Sequence, residues 1–164
     1  MADPGLLLVD IDGVLADVTH RQHHLDGPRK NWSAFFAAAA DDPLIEAGAE
    51  AVRQAATEGH RIVYLTGRPE RLRQVTESWL VRHGLPVSPG ALQMRPHRDW
   101  RPAADFKVQV VRHLARGHTV ADMWDDDEAV VEAIRSAGFP AQVPQWAQPR
   151  SSAFIEAQDR LGRS

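Results

Sequence analysis

Short apolar runs along the chain alternate with longer segments in which apolar residues recur at helical spacing. The runs Leu6–Val9, Arg61–Leu65, Ala91–Met94, Thr119–Trp124 and Ala141–Val143 have the length and character of strands. Runs that lack a polar residue at every second position are typical of strands covered on both faces of a sheet. The pattern therefore predicts five strands, with the continuous apolar run Leu6–Val9 as a buried central strand.

Amphipathic segments between these runs predict helices. They are Glu46–Glu58, Pro69–His83, Ala103–Ala115 and Glu128–Ala137, preceded by the end of a short helix at Phe35–Ala40. A glycine directly follows several of them, which is typical of a helix end. A final helix that begins at Ser151 or Ser152 is predicted to hold Phe154, Ile155 and Leu161.

Strands that alternate with helices indicate parallel βαβ units. The fold predicted for residues 1–164 is therefore a single α/β domain with a doubly wound, mostly parallel, Rossmann-like sheet. In such a sheet, ligands bind at the carboxyl ends of the strands. The residues that directly follow each strand are thus the first place to look for chemistry.

Composition narrows the class of protein further. The chain has 164 residues, of which 43% are hydrophobic and 25% charged, as in ordinary globular domains. No apolar stretch reaches the ~18 residues of a membrane helix, and the first residues lack the basic end of a secretory signal. The absence of cysteine excludes disulfides, thiolate zinc sites and thiol catalysis, and it fits a cytoplasmic location.

The charge of the chain gives no overall reason to expect a nucleic-acid partner. The formal net charge is −3, and only two of the 19 basic residues are lysines, Lys30 and Lys107. Proteins that bind nucleic acid are usually basic on at least one face. Any site for a polyanion must therefore be a local concentration of arginine.

The first strand ends in the sequence Asp10-Ile11-Asp12-Gly13. Two carboxylates at the end of a buried strand are costly unless a cation or a proton compensates them. The glycine allows the chain to leave the strand in a conformation that other residues resist. The segment is either a functional pair of carboxylates or an ordinary Asp-Gly turn.

The second predicted strand is followed by Thr66, Gly67 and Arg68, and Lys107 lies in a later helix. A hydroxyl, a position that allows close backbone approach and a guanidinium together suit an oxyanion such as phosphate. Thr-Gly is also a common loop pair, and a helical lysine is usually solvated. Each feature is therefore weak evidence by itself.

Four consecutive acids, Asp125, Asp126, Asp127 and Glu128, follow the fourth strand. They are a solvated loop, a helix N-terminus that the helix dipole favours, or a set of metal ligands. Carboxylates without nearby cysteine or histidine are the ligands that Mg²⁺ prefers.

Taken in order along the chain, these features resemble the four motifs of the haloacid dehalogenase-like phosphohydrolases. The resemblance covers Leu6 to about Pro144. It implies an aspartyl-phosphate mechanism in which Asp10 is the nucleophile and Asp12 the general acid and base. The implied catalytic residues are Asp10, Asp12, Thr66 and Lys107, and the implied Mg²⁺ ligands are Asp10, the carbonyl of Asp12, Asp125 and Asp126. The proton-transfer role requires a raised pKa at Asp12.

Further spacings resemble the phosphatase domain of phage-type polynucleotide kinase-phosphatase, which removes 3′-phosphates from nucleic-acid ends. Arg21 lies eleven residues after Asp10, and the stretch from Met94 to Lys107 has a similar arrangement of basic and acidic residues. The resemblance implies substrate contacts from Arg21, Gly67, Arg68, Arg95 and Arg101. The set Arg21, Arg95, Arg98 and Arg101, with Trp100 among them, predicts either a basic, stacking surface for a strand end or a solvated loop.

The sequence also departs from that family. Acidic residues are usual at the positions of Ala103 and Ala104, so that either Asp105 substitutes or the function is lost. Asp127 stands where the family usually has arginine. No Gly-x-x-x-x-Gly-Lys-Ser/Thr loop occurs, and a stand-alone phosphatase without a kinase domain is therefore expected.

The spacing between the motifs leaves room for a small cap at most, so we expect an open site. An open site suits the terminal phosphate of a large substrate, and it also admits small substrates. A 3′-phosphatase for polynucleotides is therefore the main hypothesis, and a nucleotidase or sugar phosphatase is the alternative. A non-catalytic interaction module is a third, weaker hypothesis, and the sequence leaves the oligomeric state open.

Overall fold

Parallel strands form the centre of the molecule in the computed structural model, which describes residues 2–149 and 155–156. The strands are β1 (Leu6–Val9), β2 (Arg61–Pro69), β3 (Leu92–Arg95) and β4 (Val120–Trp124). They form a four-stranded sheet in the order β3-β2-β1-β4, with all neighbouring pairs parallel. From β1 the chain continues to β2 and β3 on one side and then returns to place β4 on the other side of β1. The direction in which strands are added to the sheet therefore reverses at β1. The residues after β1 and β4 therefore meet at one edge of the sheet.

Helices cover both faces of this sheet. They are α1 (Trp32–Ala37), α2 (Glu46–Thr57), α3 (Arg73–Arg82), α4 (Ala103–Leu114) and α5 (Glu128–Ser136). Alternate residues of β1 point to opposite faces: Leu7 and Val9 pack with α2 and α3, whereas Leu6 and Leu8 pack with α4 and α5. The doubly wound α/β fold predicted from the sequence is confirmed.

The segment between β1 and α2 forms a small helical layer beside the sheet. It contains 3₁₀ turns at Thr19–Leu25 and Ala38–Asp41, with α1 between them. Val18, Leu25, Phe35 and Phe36 give this layer its own small hydrophobic core. The residues between β1 and β2 thus build no large cap, as expected.

The predicted elements need two corrections among the described residues. Ala141–Val143 is not a strand: only Gln142 forms a bridge, to Trp124, because Pro140 and Pro144 lie on either side and cannot donate ladder hydrogen bonds. The helix predicted from Pro69 begins at Arg73 instead, since β2 continues to Pro69 and a 3₁₀ turn follows. The predicted helix after Ser151 lies almost entirely outside the described residues.

No helix among the described residues combines the length and the apolar character needed to cross a membrane.

Candidate active site

Asp10 is fixed in the interior, directly after the last residue of β1. Its backbone N–H donates to the carbonyl of Trp124 with an N···O distance of 2.8 Å, which continues the β1–β4 ladder. Its side chain is 1% exposed, and its Oδ1 accepts a hydrogen bond from the backbone N–H of Ile11. Its Oδ2 is also buried and has no hydrogen-bond partner among the described residues. A buried carboxylate oxygen in this condition is a candidate ligand or nucleophile.

Three carboxylates from two strands meet at this point. One oxygen each from Asp10, Asp125 and Asp126 lie within 4.8 Å of one another, and all three residues are buried. Gly13 permits this approach: its φ is +81°, and a Cβ built there would lie 2.4 Å from Oδ2 of Asp126. A cluster of buried, hard oxygen ligands suits a divalent cation such as Mg²⁺. The donor set therefore fits a metal ion.

The pKa of Asp10 is consistent with a metal ion bound by these carboxylates. Burial raises the pKa of Asp10, and the neighbouring charge of Asp125 raises it further, to about 7, although Lys107 opposes the change. The carboxylate cluster therefore holds more negative charge than the protein itself neutralises. A bound cation would restore Asp10 to its ionised, nucleophilic form.

Lys107 contributes positive charge to the same cluster. Although α4 is a surface helix, this side chain is only 2% exposed. Its Nζ donates to Oδ2 of Asp125 at 2.7 Å and lies 3.2 Å from Oδ1 of Asp10. Burial by itself lowers the pKa of Lys107, but the charges of Asp10 and Asp125 outweigh it, and the net pKa is raised. The ammonium group is thus permanently charged.

Asp12 has a different environment from Asp10. Its Oδ1 accepts hydrogen bonds from Nη2 of Arg21 at 3.1 Å and from Nε and Nη2 of Arg68 at 3.0 and 2.6 Å. Both arginines are only 1% exposed. Arg21 and Arg68 therefore lie beside Asp10 and Asp12, with their guanidinium groups hydrogen-bonded to the Asp12 carboxylate. The side chain of Asp12 does not belong to the metal-binding cluster.

The expectation of a raised pKa at Asp12 is wrong for the substrate-free protein. Burial alone raises this pKa, but the charges of Arg68 and Arg21 and the hydrogen bonds from Arg68 outweigh that effect and lower it. The predicted general acid is therefore ionised before substrate enters.

Asp42 is a member of the site that sequence reasoning missed. It accepts hydrogen bonds from Arg21 at 2.8 and 2.9 Å and from Arg68 at 2.8 Å, and His20 lies 2.7 Å from its Oδ1. Nε1 of Trp79 donates a hydrogen bond to the backbone carbonyl of Asp42 at 2.8 Å. Two carboxylates and two guanidinium groups thus form a balanced, buried network. In the sequence, Asp42 looked like part of an ordinary Asp-Asp-Pro turn, and nothing distinguished it.

Thr66, Gly67 and Arg95 form the β2–β3 side of the site. Oγ1 of Thr66 accepts from the backbone N–H of Arg68, which leaves its own hydroxyl hydrogen available. Nε of Arg95 donates to the carbonyl of Gly67 at 3.2 Å. Nη2 of Arg95 is buried and makes no hydrogen bond with the described residues. This corner therefore offers donors to an anion.

Arg101 and Asp105 do not join these residues. Arg101 is exposed and binds Asp99 at 2.6 Å. Asp105 is exposed on α4, two positions from the buried Lys107, so the two side chains leave the helix on nearly opposite sides. Asp105 therefore does not replace the acids that the family has at Ala103 and Ala104.

Asp127 has a structural role. Its Oδ1 accepts from the backbone N–H of Ala129, and it is the N-cap of α5. Its own backbone N–H donates to Oδ1 of Asp125 at 3.0 Å, which fixes that carboxylate. The acid in place of the usual arginine thus begins a helix and orients a candidate metal ligand.

The segment after the Gln142 bridge supports the loop that follows β1. Nε1 of Trp146 donates to the carbonyl of Val14 at 3.1 Å, and the backbone N–H of Gln148 donates to the carbonyl of Gly13. Gly48 on α2 packs against the same Val14 carbonyl, since a Cβ there would lie 2.2 Å from it. The loop that carries Asp12 is therefore held from two sides.

Residues 4–146 match the family model of the phosphatase domain of polynucleotide kinase PNKP. The chain belongs to this PNKP phosphatase family. No curated protein sequence matches it. The family is one of phosphatase domains, and the chain has the haloacid dehalogenase-like fold.

Solved structures share the fold of this PNKP phosphatase domain. A chain of the Pnkp1/Rnl/Hen1 complex is 24% identical with a TM-score of 0.70; the match covers 84% of this chain and 44% of that one. A haloacid dehalogenase-like hydrolase from Streptococcus pneumoniae is 11% identical with a TM-score of 0.61, over 98% and 93% of the two chains. A related enzyme from Bacteroides thetaiotaomicron, solved with magnesium and inorganic phosphate, is 13% identical with a TM-score of 0.50, over 90% and 98%. The chain thus spans less than half of the Pnkp1 complex chain that it matches.

Proposed function

We propose that the protein is a Mg²⁺-dependent phosphomonoesterase that removes 3′-phosphates from polynucleotide ends through an aspartyl-phosphate. The observation that carries the proposal is the position of Asp10, a buried carboxylate between Lys107 and two further acids at the carboxyl edge of the sheet. Membership of the PNKP phosphatase family supports the class of substrate.

Asp10 is the nucleophile in this proposal. One of its oxygens forms a bond to phosphorus while the bond from phosphorus to the ester oxygen breaks. The leaving oxygen takes a proton from Asp12. Water then attacks the phosphorus of the aspartyl-phosphate, Asp12 takes a proton from that water, and inorganic phosphate leaves.

Mg²⁺ would be held by Asp10, the backbone carbonyl of Asp12, Asp125 and Asp126, and it would neutralise charge between the carboxylate and the phosphoryl oxygens. The buried oxygen of Asp10 that lacks a hydrogen-bond partner among the described residues supports this assignment. Lys107 adds a fixed positive charge beside the nucleophile, so that a dianionic substrate is less strongly repelled.

Asp12 must gain a proton before it can act as an acid. In the substrate-free protein, Arg21 and Arg68 lower its pKa and keep it ionised. A phosphate dianion that enters beside it would raise that pKa by like-charge repulsion and would compete for the same guanidinium groups. Substrate binding therefore favours the protonated form of Asp12 at the step that needs it.

Thr66, Gly67 and Arg95 are proposed to bind the phosphoryl oxygens. The Thr66 hydroxyl supplies a hydrogen, and Nη2 of Arg95 is buried without a hydrogen-bond partner among the described residues. Arg95 also fixes the carbonyl of Gly67, so it orients this corner as well. Arg21 and Arg68 have their main contact with Asp12 and Asp42 and are proposed to orient Asp12.

The test compares phosphate release from a 3′-phosphorylated oligonucleotide with release from a panel of nucleotides and sugar phosphates. We expect the oligonucleotide to have the highest kcat/KM, with no turnover after chelation of divalent metal or in the Asp10→Asn variant. A large preference for the panel would replace the polynucleotide proposal with the alternative, a small-molecule phosphatase on the same core. Activity in a Mg²⁺-free enzyme would contradict the metal assignment.

A nucleic-acid partner is also supported by a structural relative. One chain of the Pnkp1/Rnl/Hen1 RNA repair complex matches 85% of this chain with 23% identity. A single phosphatase domain over residues 1–164 and a cytoplasmic location stay predictions. Limited proteolysis and cell fractionation, respectively, would test them.

A further inference from the structure

A groove runs along the flank of the molecule between α4 and the edge strand β3. It has a volume of about 630 Å³ and lies outside the carboxylate cluster. Its walls include Gln93, Pro96, Arg101, Gln109, Arg112 and Arg116, and we refer to it as the α4 groove. None of these residues has a role in the proposed chemistry.

The charge of the α4 groove is positive. Its lining contains three arginines and His113 but one acid, Asp105. Arg101 is already bound to Asp99, whereas Arg112 and Arg116 are exposed and have no ion pair with any described residue. A chain with a formal net charge of −3 therefore carries two uncompensated arginines in one concave surface. Such a surface attracts polyanions.

The direction of α4 connects the groove to the catalytic edge. Helices between parallel strands run opposite to the strands, so α4 begins at the carboxyl edge, where Lys107 reaches Asp10, and ends at the far edge. Arg101 precedes α4 and Arg116 follows it. The twelve residues of α4 span about 18 Å, so the groove leads from the rim of the site down the side of the protein.

The rim of the groove is a firmly held loop. Nη1 of Arg95 donates to the carbonyl of Arg101 at 2.8 Å while Nε of the same side chain holds the carbonyl of Gly67. Arg98 adopts a left-handed φ of 61°, and Asp99 accepts from the backbone N–H of Arg101. Trp100, 56% exposed, is carried on this loop. Thr66, Gly67 and Arg95, the residues proposed to bind phosphate, are therefore connected to the mouth of the groove by hydrogen bonds of Arg95.

We propose that the α4 groove binds the phosphodiester backbone of the single strand whose 3′-terminal phosphate is hydrolysed. This inference rests on the proposed function. Arg112 and Arg116 act as contacts to internal phosphates, several nucleotides from the reacting end, and the exposed Trp100 ring offers a surface for base stacking at the rim. The consequence is a dependence of KM on substrate length that a mononucleotide site would lack.

The experiment measures phosphate release from 3′-phosphorylated single strands of one to ten nucleotides. In the wild-type protein, KM should fall with length and level off beyond about four nucleotides, the shortest footprint typical of single-strand grooves. In Arg112→Ala/Arg116→Ala, KM for the ten-nucleotide strand should rise about tenfold while KM for the mononucleotide and kcat for both stay unchanged. The slope of log KM against log salt should become shallower by about 1.4.

Two matched variants separate charge from general damage. Arg112→Lys/Arg116→Lys keeps both positive charges and should retain most of the length dependence. Arg53→Ala/Arg82→Ala removes two exposed arginines from α2 and α3, on the opposite face of the sheet. These side chains donate to the carbonyls of His83 and Ala40, so this variant also controls for lost stability, and its dependence of KM on length and salt should match the wild type. An unchanged KM for the ten-nucleotide strand in the Arg112/Arg116 alanine variant would overturn the groove proposal.

A binding measurement distinguishes failure of this inference from failure of the proposed function. Fluorescence anisotropy with a labelled ten-nucleotide strand that ends in a 3′-hydroxyl reports on the groove without any phosphate hydrolysis. Weaker, less salt-dependent binding by the alanine variant supports the groove, even if the enzyme prefers small phosphates. Equal binding by both proteins refutes the groove, even if the enzyme hydrolyses 3′-phosphorylated strands.

Discussion

Asp10 and Asp12 are two positions apart and are both buried. The charges around Asp10 are mostly negative, whereas those directly around Asp12 are positive. Asp10 faces two further acids and one lysine, and its pKa is raised to about 7. Asp12 faces two arginines that are shared with Asp42, and its pKa is lowered. The two side chains therefore lie on different sides of the loop: Asp10 meets β4 and α4, whereas Asp12 meets the helical layer and β2.

The fold thus gives two aspartates of the same loop opposite electrostatic environments. On the Asp10 side three carboxylates face one ammonium group, and such an excess of negative charge favours binding of a metal ion. The Asp12 side is balanced by its own arginines, which is the condition under which a side chain stays in place without a ligand. The variants below are expected to disturb one side or the other, in decreasing order of effect.

The largest effect is expected from Asp10→Asn, which keeps the shape of the side chain but removes the proposed nucleophile. We expect phosphatase activity to fall by at least about 10⁴-fold. The measurement is single-turnover phosphate release, together with a check that the variant unfolds at the wild-type denaturant concentration or above it. Wild-type activity in this variant would show that the nucleophile has been assigned to the wrong residue.

Asp42→Ala tests the balanced side. Removal of this carboxylate leaves Arg21 and Arg68 with one partner instead of two, and breaking a buried network of this kind costs about 3–5 kcal/mol. The free energy of unfolding, measured in urea, should fall by that amount, and activity should fall with it. Asp41→Ala, at the exposed neighbouring position, should leave both unchanged. Equal effects of the two substitutions would argue against the network.

Thr66→Ala removes one hydroxyl from the proposed phosphate-binding residues without altering the charge of the site. We expect kcat to fall by about 10²–10³, by analogy with the loss of one oxyanion donor. Thr66→Ser keeps the hydroxyl and should recover most of the activity. A serine variant as slow as the alanine variant would show that the methyl group, and hence packing, is what matters.

Metal binding should depend on pH through Asp10. Because the folded-state pKa is raised from 3.8 to about 7, ionisation of Asp10 costs stability in the metal-free protein, and this cost grows between about pH 4 and pH 7. Below pH 7 a proton competes with the cation. The increase in Tm on addition of Mg²⁺ should therefore be larger at pH 8 than at pH 6. An increase that is independent of pH, or larger at pH 6, would contradict this account.

The smallest effect is expected from Trp146→Phe, which keeps an aromatic ring beside Trp124 but removes the donor to the carbonyl of Val14. Loss of one hydrogen bond of this kind costs about 1 kcal/mol. We expect the free energy of unfolding to fall by that amount. Because the loop that carries Asp12 is then held less firmly, kcat should fall slightly with KM unchanged.

Local patterns were sufficient to predict most of the fold. The apolar runs at β1, β2 and β4 and the stripes of α2, α4 and α5 occur where the structure has them, because burial dictates both the pattern and the element. The wrong prediction at Ala141–Val143 came from neglect of the flanking prolines. Candidate residues at strand ends were predictable as well, since parallel topology brings those ends together.

The charge environment of the site was not predictable in the same way. Whether Arg68 binds a phosphate or a carboxylate depends on Asp42, which is 26 positions away in the chain. The pKa of Asp12 follows from that arrangement, so the role implied by the family resemblance gave the wrong direction for the substrate-free protein. Trp146 acts through a contact 132 positions away. Contacts between residues so far apart in the sequence cannot be predicted from the periodicity of apolar residues or from the spacing of motifs.

The close approach of Gly13 and Asp126 also bears on the order of folding. Asp10 lies near the start of the chain, and the carboxylates that join it lie about 115 positions later, on the loop after β4. The three carboxylates can therefore come together only after β4 has been synthesised and has paired with β1. A metal ion that needs all three as ligands would accordingly bind only after this long-range strand pairing has formed.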